Sequence, residues 1–360
     1  LGFILFIINK EEKPFWFFSE KQMNTGKTVL VTGGLGYIGS HTVVELMEAG
    51  FKVVVADNLS NSTLDVHTEL EKLTNSQISF YKIDVGDKKS LELIFKENEI
   101  SSVIHFAAYK SVGESMENVL EYYENNIGSL LSILSAIQKY KVKNFVFSSS
   151  CTVYGQPDVL PVNENSPIKN AESVYGTTKI MGEKIIQDFV ASSTNVNAIL
   201  LRYFNPVGAH ESGQIGEKPV GVPNNLFPFI TQTISGVREE IKVFGSDYNT
   251  PDGTALRDYI HVVDLAKAHL AAILRMEYSE LPLEIFNVGT GVPYSVLEVI
   301  KMFENVIEKP INYSLVERRQ GDIEKIFAES TQANNVLKWK ATKGLEEMVS
   351  SALKWERIKV

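Results

Sequence analysis

Residues 28–41 read TVLVTGGLGYIGSH: a short β-branched run, four glycines within seven positions, then the start of a helical pattern. A strand that breaks on such a loop and turns straight into a helix leaves few folds open. Gly34, Gly36 and Gly39 satisfy G-x-G-x-x-G, and Gly33, Gly36 and Gly39 satisfy G-x-x-G-x-x-G. One glycine permits the tight turn, one lets backbone approach a pyrophosphate, and one lets the helix pack closely on the strand. The helix amino terminus then favours phosphate charge. The segment is therefore expected to be the first strand–loop–helix unit of a dinucleotide-binding domain.

The rest of the chain fits that start. Apolar strand-like runs at 52–57, 78–84, 102–108, 144–150 and 197–205 alternate with helical patterns at 38–49, 90–98, 117–140 and 176–191. This alternation predicts parallel strands joined by right-handed crossovers, an α/β fold with a Rossmann-like doubly wound parallel sheet. After Asn205 the texture changes: residues 206–228 hold four prolines and four glycines. Helices are expected near 226–236, 262–277 and 294–307, and strands at 241–245 and 285–289. We expect a domain over 23–205 and, over 206–360, mainly a smaller carboxyl-terminal substrate-binding lobe, with some segments returning to the first domain. Residues 1–22 run from Leu1 and lack a basic segment, a cleavage site or an amphipathic period. They are expected to be translated sequence ahead of a start at Met23, the alternative being a membrane-surface anchor.

Asp57 closes the second strand, 18 residues beyond Gly39. A carboxylate there accepts hydrogen bonds from a ribose diol and repels a 2′-phosphate, so NAD is expected over NADP. Asp84 and Val85, at the end of the third strand, are candidates for the adenine. Tyr175 and Lys179 stand four apart and share one helix face. A phenol of ordinary pKa ~10 is a poor base at neutral pH; a neighbouring ammonium and an oxidised nicotinamide both favour phenolate. The run Ser148–Thr152 at a strand end supplies hydroxyls able to share a substrate proton.

Composition sets limits. Lys plus Arg total 35 against 44 Asp plus Glu, a net charge of −9. That balance excludes a sequence-independent nucleic-acid binder, which needs a basic face, but not a local site for an anionic small molecule. The single cysteine, Cys151, cannot form an internal disulfide; with no spanning segment expected, a cytoplasmic location follows. Cys151 is expected to be a small buried residue, His105 a packed core histidine, and Trp339 and Trp355 packing anchors. The six histidines show no metal-ligand spacing, so no metal is expected.

TGGLGYIGSH, ADNLSNS, VIHFAAYKSVGES, SSSCTVYG, YGTTK, LRYFNPVGAH, RDYIHVVDLA, FNVGTG and RRQGD follow one another from about residue 27 to 356. By these motifs the chain resembles the extended short-chain dehydrogenase/reductase family, in its nucleotide-sugar 4-epimerase branch. The resemblance implies NAD-dependent interconversion of UDP-galactose and UDP-glucose by transient oxidation at C4, and a homodimer. It implies that Gly33, Gly36, Tyr37, Ile38 and Gly39 hold the NAD pyrophosphate. Asp57, Asn58, Leu59, Ser60, Asn61 and Ser62 would line the adenosine ribose. Phe106, Ala107 and Lys110 would flank the nicotinamide side, Asn125 and Lys179 would hydrogen-bond the cofactor, and Phe204 would complete that site. Tyr175 is the implied base, with Lys179, Ser150 and Thr152 beside it and the latter two binding the sugar. Asn205, Asn225, Leu226 and Phe244 would face the UDP-sugar, Arg257 and Arg319 its diphosphate, and Asp322 the uridine ribose.

Ile326 falls where the family places a gate beside the sugar's 2-substituent, so tolerance of N-acetylated sugars stays open. A 4,6-dehydratase needs an Asp-Glu pair directly after the strand-end threonine; here Thr152 is followed by Val153 and Tyr154. A non-catalytic NAD-sensing relative remains a further alternative, although such proteins lose the Tyr or Lys retained here.

Overall fold

A computed structural model of the chain describes residues 26–358 apart from 193–194, 220 and 320, so the expected lead over 1–22 lies outside the described residues. The first half alternates strand and helix: β1 (Thr28–Thr32), α1 (Tyr37–Glu48), β2 (Lys52–Asp57), α2 (Leu64–Thr74), β3 (Ser79–Lys82), α3 (Lys88–Glu97) and β4 (Ile100–His105). It continues through α4 (Val112–Glu117), α5 (Val119–Tyr140), β5 (Asn144–Ser150), α6 (Val174–Ser192) and β6 (Asn197–Tyr203). The second half holds β7 (Asn205–Val207), α7 (Leu226–Ile234), β8 (Ile241–Phe244), β9 (Leu256–His261), α8 (Val262–Arg275), β10 (Leu283–Val288) and β11 (Pro293–Ser295). It ends with α9 (Val296–Ile307), β12 (Tyr313–Val316), β13 (Lys325–Ile326) and α10 (Leu345–Trp355).

Seven strands form one sheet in the order β10-β6-β5-β4-β1-β2-β3, all parallel. The expected doubly wound sheet is borne out. Alternation along each strand feeds two separate cores. Val29, Val31, Val53, Val55 and Ile104 face α1 and α8, packing with Val43, Val44, Leu265 and Ala272. Leu30, Val54, Val103, Phe145 and Phe147 face the opposite way, onto Leu91 and Ile94 of α3, Leu130 and Ile133 of α5 and Ile186 of α6. Because β1 lies between β2 and β4, the loops leaving β1 and β4 diverge to opposite faces. The crevice between them is where an open α/β sheet takes its ligand.

The chain leaves this sheet at Phe204. The predicted strand 197–205 is two strands: β6 stays in the sheet, while β7 pairs with β9 in a second, four-stranded sheet. α8 and β10 then return to the first sheet. A third core, with Phe227, Ile230, Tyr259, Val299, Phe303 and Met348, forms among α7, β9, α9 and α10. The helix α2 was not foreseen; Leu70 is its single fully buried residue, and Val66 and Leu73 complete a narrow stripe packed on the first core.

Candidate functional site

The loop between β1 and α1 is closed by contacts that leave no room for side chains. Gly33 has φ +68°, and a Cβ there would lie 2.8 Å from the Ala107 backbone nitrogen; one at Gly39 would overlap the Gly33 carbonyl. No side chain caps α1 at Gly36, and its first turn bears no acidic residue. Backbone N–H groups and the positive end of the helix dipole therefore face the crevice, the arrangement that binds a phosphate.

Asp57 sits buried at the end of β2, held by its neighbours: Leu35 N donates to Oδ2 at 3.0 Å, and Leu59 N and Ser62 Oγ each donate to Oδ1 at 2.9 Å. A carboxylate has about four acceptor positions, so Oδ2 keeps room to accept from a ribose hydroxyl. Three internal donors fix its orientation beforehand.

These groups open on one cleft of about 450 Å³. Gly33, Gly36, Tyr37, Ile38, Gly39, Asp57, Asn58, Ser60, Asn61, Ser62, Asp84, Val85, Phe106, Ala107, Lys110, Asn125, Tyr175, Lys179 and Asn225 all line it. Leu59 does not: its backbone is left-handed at φ +63°, and its side chain packs against the first core. Asn125 donates to Asn126 Oδ1 at 2.9 Å. It is Asn126 that ties the loop after β4 to α6, accepting from Tyr109 N at 2.8 Å and donating to Tyr109 O and Thr178 Oγ1 at 3.0 Å each. Sequence reading passed over Asn126 because only its neighbour matched an expected ligand.

Tyr175 and Lys179 lie one turn apart on α6 and face the same cleft. The Lys179 ammonium donates to the Ser148 carbonyl at 2.6 Å and stands 4.9 Å from the Phe147 ring centroid. The side chain is 4% exposed. Burial pushes Lys179 down to about 7, against the pull of the Glu183 carboxylate. Burial likewise pushes Tyr175 up to about 12, opposed by the Ser150 hydroxyl. Alone, the phenol holds its proton at neutral pH; a positive charge brought beside it is what would release it. Ser150 accepts from Thr152 N at 3.2 Å, and the buried Thr152 hydroxyl has no partner among the described residues.

Under this helix lies a buried ion pair that the sequence did not disclose. Arg202 on β6 donates to both carboxylate oxygens of Glu183, at 2.8 and 2.7 Å. Ser149 Oγ adds a third bond to Glu183 at 2.5 Å, and Arg202 also donates to the Tyr154 hydroxyl at 3.0 Å. The pair locks α6 onto β5 and β6.

The second group of expected residues comes together away from the walls of that cleft. Arg319 donates to Asp322 Oδ1 at 2.8 Å, Arg257 lies 3.8 Å from the same oxygen, and the Arg319 guanidinium sits 5.6 Å from the Phe244 ring centroid. Ile326 on β13 pairs in register with Arg257 on β9. It is 2% exposed and joins Cys151, Val153, Tyr154 and Phe204 in a small apolar cluster. Phe204 and Ile326 are thus placed behind the site, not on the cleft surface. Asn205 opens β7, and Leu226 opens α7, packed on the third core.

Burial raises the Cys151 thiol to about 12, which keeps it unreactive. His105 lies in the sheet, its Nδ1 2.8 Å from Thr32 Oγ1, and burial pushes it down to about 3. Trp339 is a buried anchor whose indole donates to Asp264 O at 2.9 Å. Among the described residues no group of three or more His, Cys, Asp or Glu is placed to hold a metal ion, and no helix is long and apolar enough to cross a membrane.

A family model described as the NAD dependent epimerase/dehydratase family matches residues 29–289. A UDP-glucose 4-epimerase of Dictyostelium discoideum is 48% identical over 330 residues, spanning 92% of this chain and 96% of the relative. One from Bacillus subtilis is 47% identical over 328 residues, or 91% and 96%. Among solved structures, UDP-glucose 4-epimerase from Bifidobacterium longum in complex with NAD+ and UDP superposes with a TM-score of 0.90 at 45% identity, covering 92% of this chain and 98% of that one. The enzyme from Stenotrophomonas maltophila with bound NAD and formylated UDP-arabinopyranose gives 0.89 at 42% identity, with the same coverage.

Proposed function

The chain belongs to the NAD dependent epimerase/dehydratase family, and on that premise we propose that it is an NAD-dependent isomerase interconverting UDP-galactose and UDP-glucose. The observation that carries the reading is that Tyr175 and Lys179 open on the same cleft as the glycine loop and Asp57. The residues fit NAD: a cradle that any Cβ at Gly33 would fill, an uncapped helix terminus, and a pre-aligned carboxylate for the ribose.

NAD, when bound, supplies reversible oxidation at C4 of the sugar and a positive charge beside the phenol. This chain's residues supply the rest. Tyr175 takes the proton of the 4-hydroxyl and later returns it. Lys179, anchored on Ser148, holds the phenol in place and, when protonated, favours its anion. Ser150 and the unpartnered Thr152 hydroxyl hydrogen-bond the sugar. Arg257 and Arg319 grip the diphosphate, a task suited to a planar two-donor cation. Asp322, already bonded to Arg319, is the acceptor for the uridine ribose. Asn205, Asn225, Leu226 and Phe244 complete the nucleotide-sugar wall, with Ile326 and Phe204 shaping it from behind. The 4-keto sugar must present its other face before reduction, so net oxidation is zero in each turnover.

Elimination chemistry is disfavoured here because the positions after Thr152 are Val153 and Tyr154, both fully buried. A non-catalytic sensor is disfavoured because both Tyr175 and Lys179 are retained and open on one cleft. The exposed apolar residues Leu120, Leu131 and Met181 on α5 and α6 support a homodimer through those helices, and the lone cysteine is consistent with a cytoplasmic site. Incubation with UDP-galactose and, separately, UDP-N-acetylgalactosamine, followed by separation of C4 epimers, tests the function and its tolerance together. Formation of UDP-glucose is expected; a 4-keto-6-deoxy product would overturn the reading.

A further inference from the structure

Resting on that reading, we infer that Glu217 is a positioning residue that couples the cofactor half of the cleft to the nucleotide-sugar half. One oxygen of its carboxylate serves both. Lys110 Nζ, from the loop after β4, donates to Glu217 Oε1 at 3.0 Å, and Asn225 Nδ2, at the start of α7, donates to the same oxygen at 2.5 Å. Lys110 is the cation expected beside the cofactor, and its ammonium stands 5.9 Å from the centroid of the Tyr37 ring. Asn225 is the amide expected to face the UDP-sugar.

The carboxylate is held from behind. The indole Nε1 of Trp355 on α10 donates to the Glu217 carbonyl at 3.1 Å. Gly216 lies so close beneath that ring that a Cβ would sit 2.5 Å from Trp355 Cγ. The position of Glu217 is thus set by the carboxyl-terminal helix and not by either ligand. The Glu217 side chain is 13% exposed and the Lys110 side chain 44%, so the carboxylate is largely enclosed while its ammonium partner reaches solvent. A carboxylate on the wall of a cleft that takes diphosphates opposes binding unless a cation neutralises it, and Lys110 is that cation. Because both donors meet one acceptor, a shift of Lys110 toward the cofactor is transmitted to Asn225, and the reverse effect must be equal.

Two substitutions separate coupling from simple loop support. Glu217→Ala removes both bonds. Glu217→Gln keeps an oxygen for Asn225 but loses the charge that pairs Lys110. Measured on the full-length protein, Glu217→Ala is expected to raise the NAD Kd and the UDP-galactose KM by about tenfold each, with kcat changed less than about threefold. Glu217→Gln is expected to restore KM to within about threefold while NAD binding stays about tenfold weak. Adding Lys110→Met to Glu217→Ala should cost no further NAD affinity. The inference is overturned if Gln and Ala variants move together in both readouts, or if both bind NAD and UDP-galactose like wild type. Wild-type turnover, run alongside, scores the parent reading separately.

Discussion

The Lys179 ammonium lies 5.8 Å from the centroid of the Tyr175 ring. It is kept there by its bond to the Ser148 carbonyl, a strand-end group of the central sheet. The tether makes the pair's spacing a property of how α6 packs on β5, and several consequences can be measured.

Substituting Tyr175→Phe removes the proton acceptor and little else. It is expected to lower kcat by about 10²–10⁴-fold, while UDP binding by titration calorimetry changes less than about threefold. Wild-type-like turnover would exclude Tyr175 as the base.

Burial takes Lys179 from its ordinary 10.5 to about 7. Between those values the unfolded chain binds more protons than the folded one, so stability rises with pH across that window. Compared with Lys179→Met, the NAD-free protein should gain at most about 2–3 kcal/mol between pH 7 and 9. Urea unfolding at the two pH values checks this; parallel behaviour of the two proteins would contradict it.

Asp57→Asn keeps the side-chain shape and removes its charge. NAD should bind about tenfold more weakly, and the preference over NADP should shrink, because the carboxylate no longer repels a 2′-phosphate. Titration with each nucleotide reads both effects.

Two glycines give opposite forecasts. A Cβ at Gly39 would run into the Gly33 carbonyl, whereas one at Gly113, in the helix α4, meets nothing within 4 Å. Gly39→Ala should destabilise by about 1–3 kcal/mol and abolish NAD binding. Gly113→Ala should stabilise by up to about 1 kcal/mol with binding intact. Thermal unfolding with and without NAD distinguishes them.

Arg202→Met leaves the Glu183 carboxylate buried and unpaired. A loss of about 3–5 kcal/mol is expected, and most of it should return in a double variant that also replaces Glu183 with Leu. Denaturant unfolding of the three variants tests the cycle.

Much of this was legible in sequence because it is written locally. The β-branched run 52–57 and the short apolar stretch 145–147 ahead of three serines read as buried strands, and both lie in strands of the central sheet. The glycine loop and the four-residue spacing of Tyr175 and Lys179 carry their chemistry in short order. α2 was missed because its apolar stripe is narrow: Leu70 alone is fully buried, with Val66 and Leu73 partly buried beside it. The change of sheet at Phe204 was missed because β6 and β7 read as one run. Glu217 carries no signal at all: its partner Lys110 is 107 residues away in the chain, and their meeting depends on how a proline- and glycine-rich loop is pinned by Trp355. Phe204 and Ile326 are enclosed with Cys151 in one small apolar cluster, a meeting of residues 204 and 326 that no local pattern in the sequence shows.

The central claim is redox-neutral inversion at C4, and isotope retention tests it most directly. Incubating the protein with UDP-galactose deuterated at C4 should yield UDP-glucose with the label still on C4, because what leaves that carbon returns to it within one turnover. Loss of the label to solvent, or its appearance at C6 of a deoxy sugar, would contradict the account.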